Sequence, residues 1–380
     1  MKLNIIRFCP VYYPYFKHGG SVVADYELDK ALVSQGHSVT VYTCKEKNFK
    51  KKKIITKNHK IFFFTCLGSI LYGISFVALF HLIKILLKKK NVDLVWFGGV
   101  WNLFTILGPL ICRFFSVKYI ITPHGMLIPK LITRKSKIFK SIIIKLFLKK
   151  IFNKAFKIHF TVRKELNLSS KALKTKFKPI IFPLTFDLSK FDKKKKVKNL
   201  TKNNDKITLS FIGNIKKKKR IDLVFDALKL LPKNIKKKIR FQIIGTDSEK
   251  VFDYQRYTEE KIGVEICYYG PLFNSQLIKA YHSTDIFILC SMSENFGISV
   301  VEAAYSYCAL LISKEVGVSE YFLPNSAVIS KLDSKEISKK IIFLVDNPKI
   351  IKTYKIAARK TARQFNYIYL GKNYFYDLLK

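Results

Sequence analysis

A chain of 380 residues has room for two ordinary domains, and with 49% hydrophobic and 14% aromatic residues it can fill their cores, which excludes a disordered protein. The formal charge of +44 comes mostly from lysine. Only nine of the 70 basic residues are arginine, the residue suited to bidentate base and phosphate contacts, so composition argues against a nucleic-acid reader and leaves compositional drift or an anionic membrane surface as readings. Seven scattered cysteines without Cys-x-x-Cys or Cys/His spacing indicate free thiols in a reducing cytosol and argue against a structural zinc.

Met1 to Arg7 leads directly into a strand pattern, with neither the apolar core nor the small-residue cleavage site of an export signal. Short β-branched and aromatic runs then alternate with helical patterns, predicting parallel βα units. The strands fall near Leu3 to Cys9, Ser38 to Cys44, Val92 to Phe97, Lys118 to Thr122, Ile158 to Thr161 and Pro179 to Phe182. After the first strand, Gly19 and Gly20 would let backbone approach a ligand at the start of a helix running to about Gln35, although such a pair is also a plain turn signal. His37 reads as a structural histidine at a strand start.

Ile61 to Phe80 is twenty residues free of charge, long enough in principle to span a bilayer. Gly68, Ser69, Tyr72, Gly73 and Ser75 break it, predicting a strand to Cys66, a turn and a helix continuing to Leu87. His124, following a strand in Thr122-Pro123-His124-Gly125, should sit at the carboxyl end of a parallel sheet, where open α/β folds bind ligands. From Arg134 to Lys157, Ile138, Ile142, Ile143, Phe147, Ile151 and Phe152 are interleaved with lysines. That composition suits a helix lying on an anionic membrane or one packed on the sheet with a basic outer face.

The alternation stops in the polar, lysine- and asparagine-rich stretch from Asp187 to Lys206, as expected of a linker. It restarts with strands near Ile207 to Ile212, Arg240 to Gly245, Val264 to Tyr268, Asp285 to Leu289, Ala309 to Ser313 and Ala327 to Ser330. Helical stretches, Ser334 to Val345, Pro348 to Phe365 and Tyr367 to Leu379, close the chain. The expected organisation is a first Rossmann-like domain over 1–188, a linker over 189–206, a second such domain over 207–355, and C-terminal helices over 356–380.

The most specific segment is Ser291-Met292-Ser293-Glu294-Asn295-Phe296-Gly297, followed by Ile298 and, four residues later, Glu302. Its position after a strand predicts a loop-to-helix junction whose Ile298, Val301 and Ala304 share a buried face. Free N–H groups there would attract phosphate, while Glu294 and Glu302 could accept hydrogen bonds from sugar hydroxyls.

This segment resembles the nucleotide-sugar signature of glycosyltransferase family 4. The resemblance implies the GT-B fold, two Rossmann-like domains whose parallel sheets face across a cleft, and retaining transfer from a nucleoside diphosphate sugar to a hydroxyl acceptor. On that basis Glu302 binds the ribose, and Glu294 the donor sugar with Asn295, Phe296, Gly297 and Ile298 around it. Lys219 binds the pyrophosphate and His124 contacts the transferred sugar. Gly19 and Gly20 approach the donor phosphates or the acceptor, and Gly213, Asn214 and the base-packing loop at Gly270 complete the donor site. Two positions depart from the pattern near the phosphate: Asn214 replaces an arginine and Arg220 a glycine, so that Lys216 to Lys218 or Arg220 would have to supply charge, with a solvated lysine run favoured for Lys216 to Lys218. Tyr307 stands where the family has the glycine of Gly-x-Pro.

No Asp-x-Asp occurs, so neither a metal nor another cofactor is expected. The C-terminal stretch resembles the family's final helix, which returns to the first domain. Family habit and basic charge point to a cytoplasmic or inner-face peripheral enzyme of cell-surface polysaccharide assembly acting on a lipid-linked glycan, with no nucleic-acid partner. A nucleotide-sugar epimerase and a non-catalytic basic binding protein remain as alternatives on the same scaffold.

Overall fold

The computed structural model describes residues 2–88, 91–129, 132, 137–192, 206–247, 249–250, 257–322, 324–369 and 375. The stretch 193–205 of the expected linker and residues 133–136 before the basic helix lie outside them. Contacts divide the chain into two units, Met1–Phe186 with Leu370–Lys380, and Asp187–Tyr369.

The first unit is built on eight strands: β1 Asn4–Phe8, β2 Ser38–Cys44, β3 Lys53–Ile55, β4 His59–Phe64, β5 Leu94–Gly98, β6 Tyr119–Thr122, β7 Lys157–Phe160 and β8 Pro179–Ile181. They lie in the order β3-β4-β2-β1-β5-β6-β7-β8, all parallel except β3, a short antiparallel edge strand with no period-2 signal in the sequence. Every residue of β5 and β6 is buried, the unbroken apolar pattern of strands covered on both faces. The helices are α1 Gly20–Ser34, α2 Phe76–Leu87, α3 Leu103–Phe114, α4 Lys137–Ile143, α5 Lys149–Lys154 and α6 Arg163–Leu173, and a π-helical turn, Ile144–Leu148, joins α4 to α5.

Because parallel crossovers are right-handed, the step from β1 to β2 puts α1 on one face. The steps running the other way, β4 to β5, β5 to β6, β6 to β7 and β7 to β8, put α2 to α6 on the opposite face.

The second unit is a six-stranded, wholly parallel sheet in the order β11-β10-β9-β12-β13-β14. Its strands are β9 Ile207–Ile212, β10 Ile239–Ile244, β11 Glu265–Gly270, β12 Ile286–Leu289, β13 Ala309–Ser313 and β14 Val328–Ser330. Its helices are α7 Ile221–Lys229, α8 Lys233–Lys238, α9 Glu259–Ile262, α10 Asn274–His282, α11 Ile298–Tyr305, α12 Ser334–Val345 and α13 Pro348–Ala362.

The C-terminal stretch changes units later than residue 356. The whole of α13 stays with the second unit, where Arg359 stacks on Tyr305 and Tyr307 and its Nη2 donates to Asp192 Oδ1 at 2.6 Å. Phe375 is buried against Phe182 of the first unit, with ring centroids 5.3 Å apart. Of the expected helix over Tyr367 to Leu379, Tyr367–Tyr369 is a 3-10 turn and the rest, Phe375 apart, lies outside the described residues.

Candidate active site

In the second unit the chain order reverses between β9 and β12, the switch point where doubly wound sheets hold ligands. Two loops flank it, 213–220 after β9 and 290–297 after β12, and they are stitched together. Met292 N donates to Lys218 O at 2.7 Å and Ser291 Oγ to the same oxygen at 3.0 Å. The second loop is pinned from behind, since Gly317 N donates to Glu294 O at 2.9 Å and Val318 N to Phe296 O at 2.7 Å. A Cβ on Gly317 would lie 1.8 Å from Asn295 O, so only glycine allows this approach.

Held this way, Glu294 is ion-paired to Lys219, with Lys218 Nζ at 3.6 Å. Burial pushes the Lys219 ammonium down, with Lys218 and Lys216 adding to the effect while Glu294 opposes it. Burial raises the Glu294 carboxyl, but Lys219 and Lys218 outweigh it and hold the group below its usual range. Two ammonium groups thus face one carboxylate. The side chains of Lys219 and Glu294 remain 12% and 19% exposed, which leaves the surplus positive charge open to an anion.

Lys218 stays exposed, as a solvated run requires, yet its Nζ also stands as a second cation 3.6 Å from Glu294. Arg220 is committed elsewhere, its Nε and Nη2 within 3.0 Å of the Asp222 carboxylate. Its φ of 50° lies in the left-handed region, which favours the glycine of the pattern it resembles. Tyr307 has φ 62° and likewise keeps a left-handed turn without the glycine.

Gly297, with φ 105°, caps α11, and a Cβ there would meet Val316 at 2.8 Å. The buried face of α11 comprises Val300, Val301, Ala303, Ala304 and Tyr305, which includes the expected Val301 and Ala304, while Ile298 is only half-buried beside the helix start. Phe296 is a core residue whose ring packs on Phe365, so it anchors the loop. Glu302 Oε2 accepts from Tyr281 Oη at 2.9 Å, and this fixes the carboxylate on the helix. Gly213 and Asn214 follow β9, with Gly213 N donating to Ile244 O and Asn214 exposed, and Gly270 ends β11 with φ 62°.

In the first unit, Gly19 has φ 121° at the start of α1, and nothing lies within 4 Å of where its Cβ would be, so the space beside it is open. Gly20 is the first residue of α1 and is exposed. His124 follows β6 with φ 52°, and its Nε2 lies 3.0 Å from Asp25 Oδ1 on α1. Asp25 also accepts from Arg7 Nη1 at 3.1 Å and from Cys9 Sγ at 3.3 Å. Asp29, one turn further on, accepts from Arg7 Nε at 2.5 Å and from Tyr12 Oη at 2.7 Å. The Arg7 guanidinium lies 4.4 Å from the Trp96 ring centroid.

Burial would lower the His124 pKa, but the charge and hydrogen bond of Asp25 outweigh it and raise the group. Burial would raise Asp25, but His124 and Arg7 hold it below the usual range. Burial pushes Asp29 up to about 7 against the pull of Arg7. Gly125 N donates to Glu165 Oε1 at 2.5 Å and fixes the His124 turn from α6. His124 thus turns Nε2 inward, and among the described residues nothing bonds Nδ1, the nitrogen left for a ligand.

Sequence reasoning missed Arg7, Asp25, Asp29, Glu165 and Tyr281, and named Lys218 only as one of several possible charge donors. Two signals were present: an arginine inside the apolar strand Ile5-Ile6-Arg7-Phe8, and two aspartates four apart flanking Leu28 on the inward face of α1. Among the described residues no group of three or more His, Cys, Asp or Glu could hold a metal ion.

Residues 18–168 match the family model described as Glycosyltransferase Family 4, and residues 192–361 that of Glycosyl transferases group 1. The chain is 23% identical over 350 residues to the phosphatidylinositol N-acetylglucosaminyltransferase GPI3 subunit of Saccharomyces cerevisiae, covering 87% of this chain and 72% of that one. It is 25% identical over 176 residues, 46% of each chain, to an uncharacterized 41.2 kDa protein in the cps region of Klebsiella pneumoniae. Among solved structures, sucrose-phosphate synthase from Thermosynechococcus elongatus superposes with a TM-score of 0.72 at 15% identity, over 97% of this chain and 96% of that one. A trehalose-6-phosphate structure from E. coli bound with UDP-2-fluoro glucose gives 0.73 at 12%, over 99% of each, and HepE of Anabaena in complex with UDP gives 0.69 at 13%, over 97% and 96%. With one family model on each half and both halves folded as parallel-sheet α/β domains, the chain belongs to the glycosyltransferases of GT-B fold, a family 4 domain followed by a group 1 domain.

Proposed function

We propose that this glycosyltransferase moves a sugar from a nucleoside diphosphate sugar to a hydroxyl acceptor with retention of configuration, in the assembly of a cell-surface polysaccharide such as an O-antigen, capsule or exopolysaccharide. The observation that carries the donor is the surplus of positive charge at the switch point, Lys219 and Lys218 around the single carboxylate of Glu294. A diphosphate arriving there gains two ammonium groups and the amides at the start of α11. The solved relatives named with UDP or UDP-2-fluoro glucose support a nucleotide sugar as that anion. The relative from a cps region supports a polysaccharide setting.

In the transfer, the bond from the anomeric carbon to the diphosphate breaks and its electron pair stays on the diphosphate oxygen. The acceptor oxygen bonds to the anomeric carbon, and its proton passes to the departing diphosphate. Lys219 neutralises the charge that grows on the leaving group, in a site preorganised by its pairing with Glu294. Once a phosphate engages Lys219, Glu294 is released to accept hydrogen bonds from the donor sugar. Glu302, oriented by Tyr281, takes the ribose hydroxyls. His124, held by Asp25 through Nε2, offers Nδ1 to the transferred sugar. No carboxylate is assigned as a covalent nucleophile. The reading requires no metal or other cofactor, because Lys219, Lys218 and the α11 amides supply the positive charge.

Thermal shift and hydrolysis against a panel of UDP-, GDP- and ADP-sugars, with Glu302→Ala alongside, test the reading. One base should stabilise the wild type and fail to stabilise the variant. If no donor of any base shifts melting or is turned over, the reading falls, and an isomerised sugar nucleotide formed without acceptor would reassign the chain as an epimerase.

A further inference from the structure

The outer face of the first unit is apolar where a protein surface ordinarily is not. Of the 25 large apolar side chains exposed among the described residues, 14 fall between Leu67 and Phe147, that is, on or beside α2, α3 and α4. These helices cover one face of the sheet by the handedness of their crossovers, and α3 lies between α2 and α5, touching both.

On α2 the outward line is Phe76, Phe80, Lys84 and Leu87, spaced by four, four and three residues. On α4 and the π-turn it is Ile138, Phe139, Ile142, Lys145 and Leu146, and on α3 it ends at Phe114. Phe114 is 84% exposed, Ile138 79% and Phe80 67%. Exposed apolar side chains gathered on neighbouring helices of one domain face mark an interaction surface.

The charge around the patch selects its occupant. Between Ile61 and Val162 the chain has 16 lysines and arginines and one acid, Asp93, whose carboxylate accepts from Asn4 N at 2.7 Å. A protein surface matching an apolar face set in so basic a stretch of sequence would need an unusual density of acids. A bilayer with anionic headgroups supplies acyl chains for the phenylalanines and negative charge for the lysines at once. We propose that α2, α3 and the α4 to α5 helix together form a docking face for an anionic lipid bilayer.

The geometry also fixes how the protein meets it. Ile70–Leu87 is apolar enough by composition to cross a membrane, yet α2 holds only the 12 residues Phe76–Leu87. They span about 18 Å against a hydrocarbon core of about 30 Å. Its other face is in use, with Leu79, Leu82 and Leu86 buried and His81 Nδ1 2.9 Å from Tyr42 Oη of β2. The helix therefore lies along the surface.

In a βα unit the helix starts at the carboxyl ends of the strands. Phe76 and Phe80 at the start of α2, and Ile138 and Phe139 at the start of α4, thus lie toward the same sheet end as His124. Docking would lay the whole helical face on lipid, from that end to the opposite one at Leu87 and Phe114, and so bring the His124 end within reach of a lipid-linked hydroxyl acceptor. That last step rests on the transferase reading, whereas the docking face does not.

The test is co-sedimentation of the full chain with phosphatidylglycerol and phosphatidylcholine vesicles, each alone, at low and high salt. Wild type should bind the anionic vesicles and lose them at high salt. The double variant Phe80→Ser with Phe139→Ser should bind at least tenfold more weakly with an unchanged melting midpoint, since both side chains are exposed, and Lys84→Gln with Lys145→Gln should flatten the salt dependence. Phe80→Trp should be quenched by brominated lipid. Equal binding by the double serine variant, or no binding to either vesicle, overturns the proposal. So does a wild-type dimer that the serine variant breaks without lipid, which would make a second copy the occupant. Phe80 and Phe139 take no part in donor binding, so vesicle binding and the donor screen can fail independently.

Discussion

Both units bury charge beside the carboxyl end of a parallel sheet, and they do it differently. In the first unit Arg7 is fully enclosed, and each nearby charge has a neutralising partner within 3.1 Å: Asp29 on Nε, Asp25 on Nη1, and His124 on Asp25. In the second unit Lys219 and Glu294 pair at the lip of the switch point, still partly exposed, with Lys218 in excess. A compensated interior network holds positions, whereas an uncompensated and accessible one binds a counter-charge. The first unit's network therefore orients His124, and on the proposed reading the second unit's attracts the donor.

The largest expected effect falls on the closed network. Arg7→Leu leaves Asp25 and Asp29 buried without their cation and should cost about 3–5 kcal/mol of stability. Urea unfolding followed by fluorescence would measure it at pH 8 and pH 5. The loss should be smaller at pH 5, because Asp29, which burial pushes up to about 7 even beside Arg7, can then take up a proton. A loss below about 1 kcal/mol at pH 8 would show that the guanidinium does not compensate them.

In the open network the same kind of deletion should be felt in turnover. Lys219→Ala should lower kcat/KM by about 10²-fold, or about 2.7 kcal/mol of transition-state stabilisation, while Lys219→Arg should recover much of it. A loss under threefold would transfer the phosphate charge to Lys218, which is already at 3.6 Å from Glu294.

The His124 to Asp25 pair comes next, a charge-assisted hydrogen bond worth about 1.5–3 kcal/mol. The folded-state pKa of His124 is raised above its ordinary 6.5, so its contribution is complete below pH 6.5 and is lost as pH rises through the folded value. The melting difference between wild type and His124→Gln should accordingly be larger at pH 5.5 than at pH 9. Asp25, held below 3.8, adds stability that disappears only at more acid pH, outside that window. A difference independent of pH between 5.5 and 9 would mean that His124 is neutral and serves only as a hydrogen-bond donor.

What the sequence made legible follows the same division. Strands such as β5 and β12 announce themselves because burial on both faces demands unbroken apolar runs, and the loop at Glu294 is recognisable because its ligand chemistry is local in sequence. Arg7, Asp25 and His124 are legible only in part, since 99 residues separate Asp25 from its histidine and nothing local shows that the three converge. Lys218 is legible only in part for a related reason: it is exposed, as a lysine run suggests, but the β12 loop, 73 residues on, bonds its backbone and brings Glu294 within 3.6 Å of its Nζ. The short edge strand β3 escaped notice because Lys53-Ile54-Ile55 owes its extended form to pairing with β4 rather than to its own pattern.

The smallest effect tests whether Arg220 acts through its charge or only through its backbone. Its φ of 50° costs a non-glycine residue about 1–2 kcal/mol, which Arg220→Gly would relieve. Against this stand about 0.5–1 kcal/mol of added backbone entropy and an exposed pair with Asp222 worth at most about 1 kcal/mol. These terms nearly cancel, so the melting midpoint should move by no more than a few degrees. Activity should stay within threefold, because the guanidinium is committed to Asp222 and not to the Glu294 pocket. A tenfold fall in kcat/KM at unchanged stability would mean that the donor draws Arg220 away from Asp222, and the cation replacing the arginine absent at Asn214 would then be Arg220 rather than Lys218.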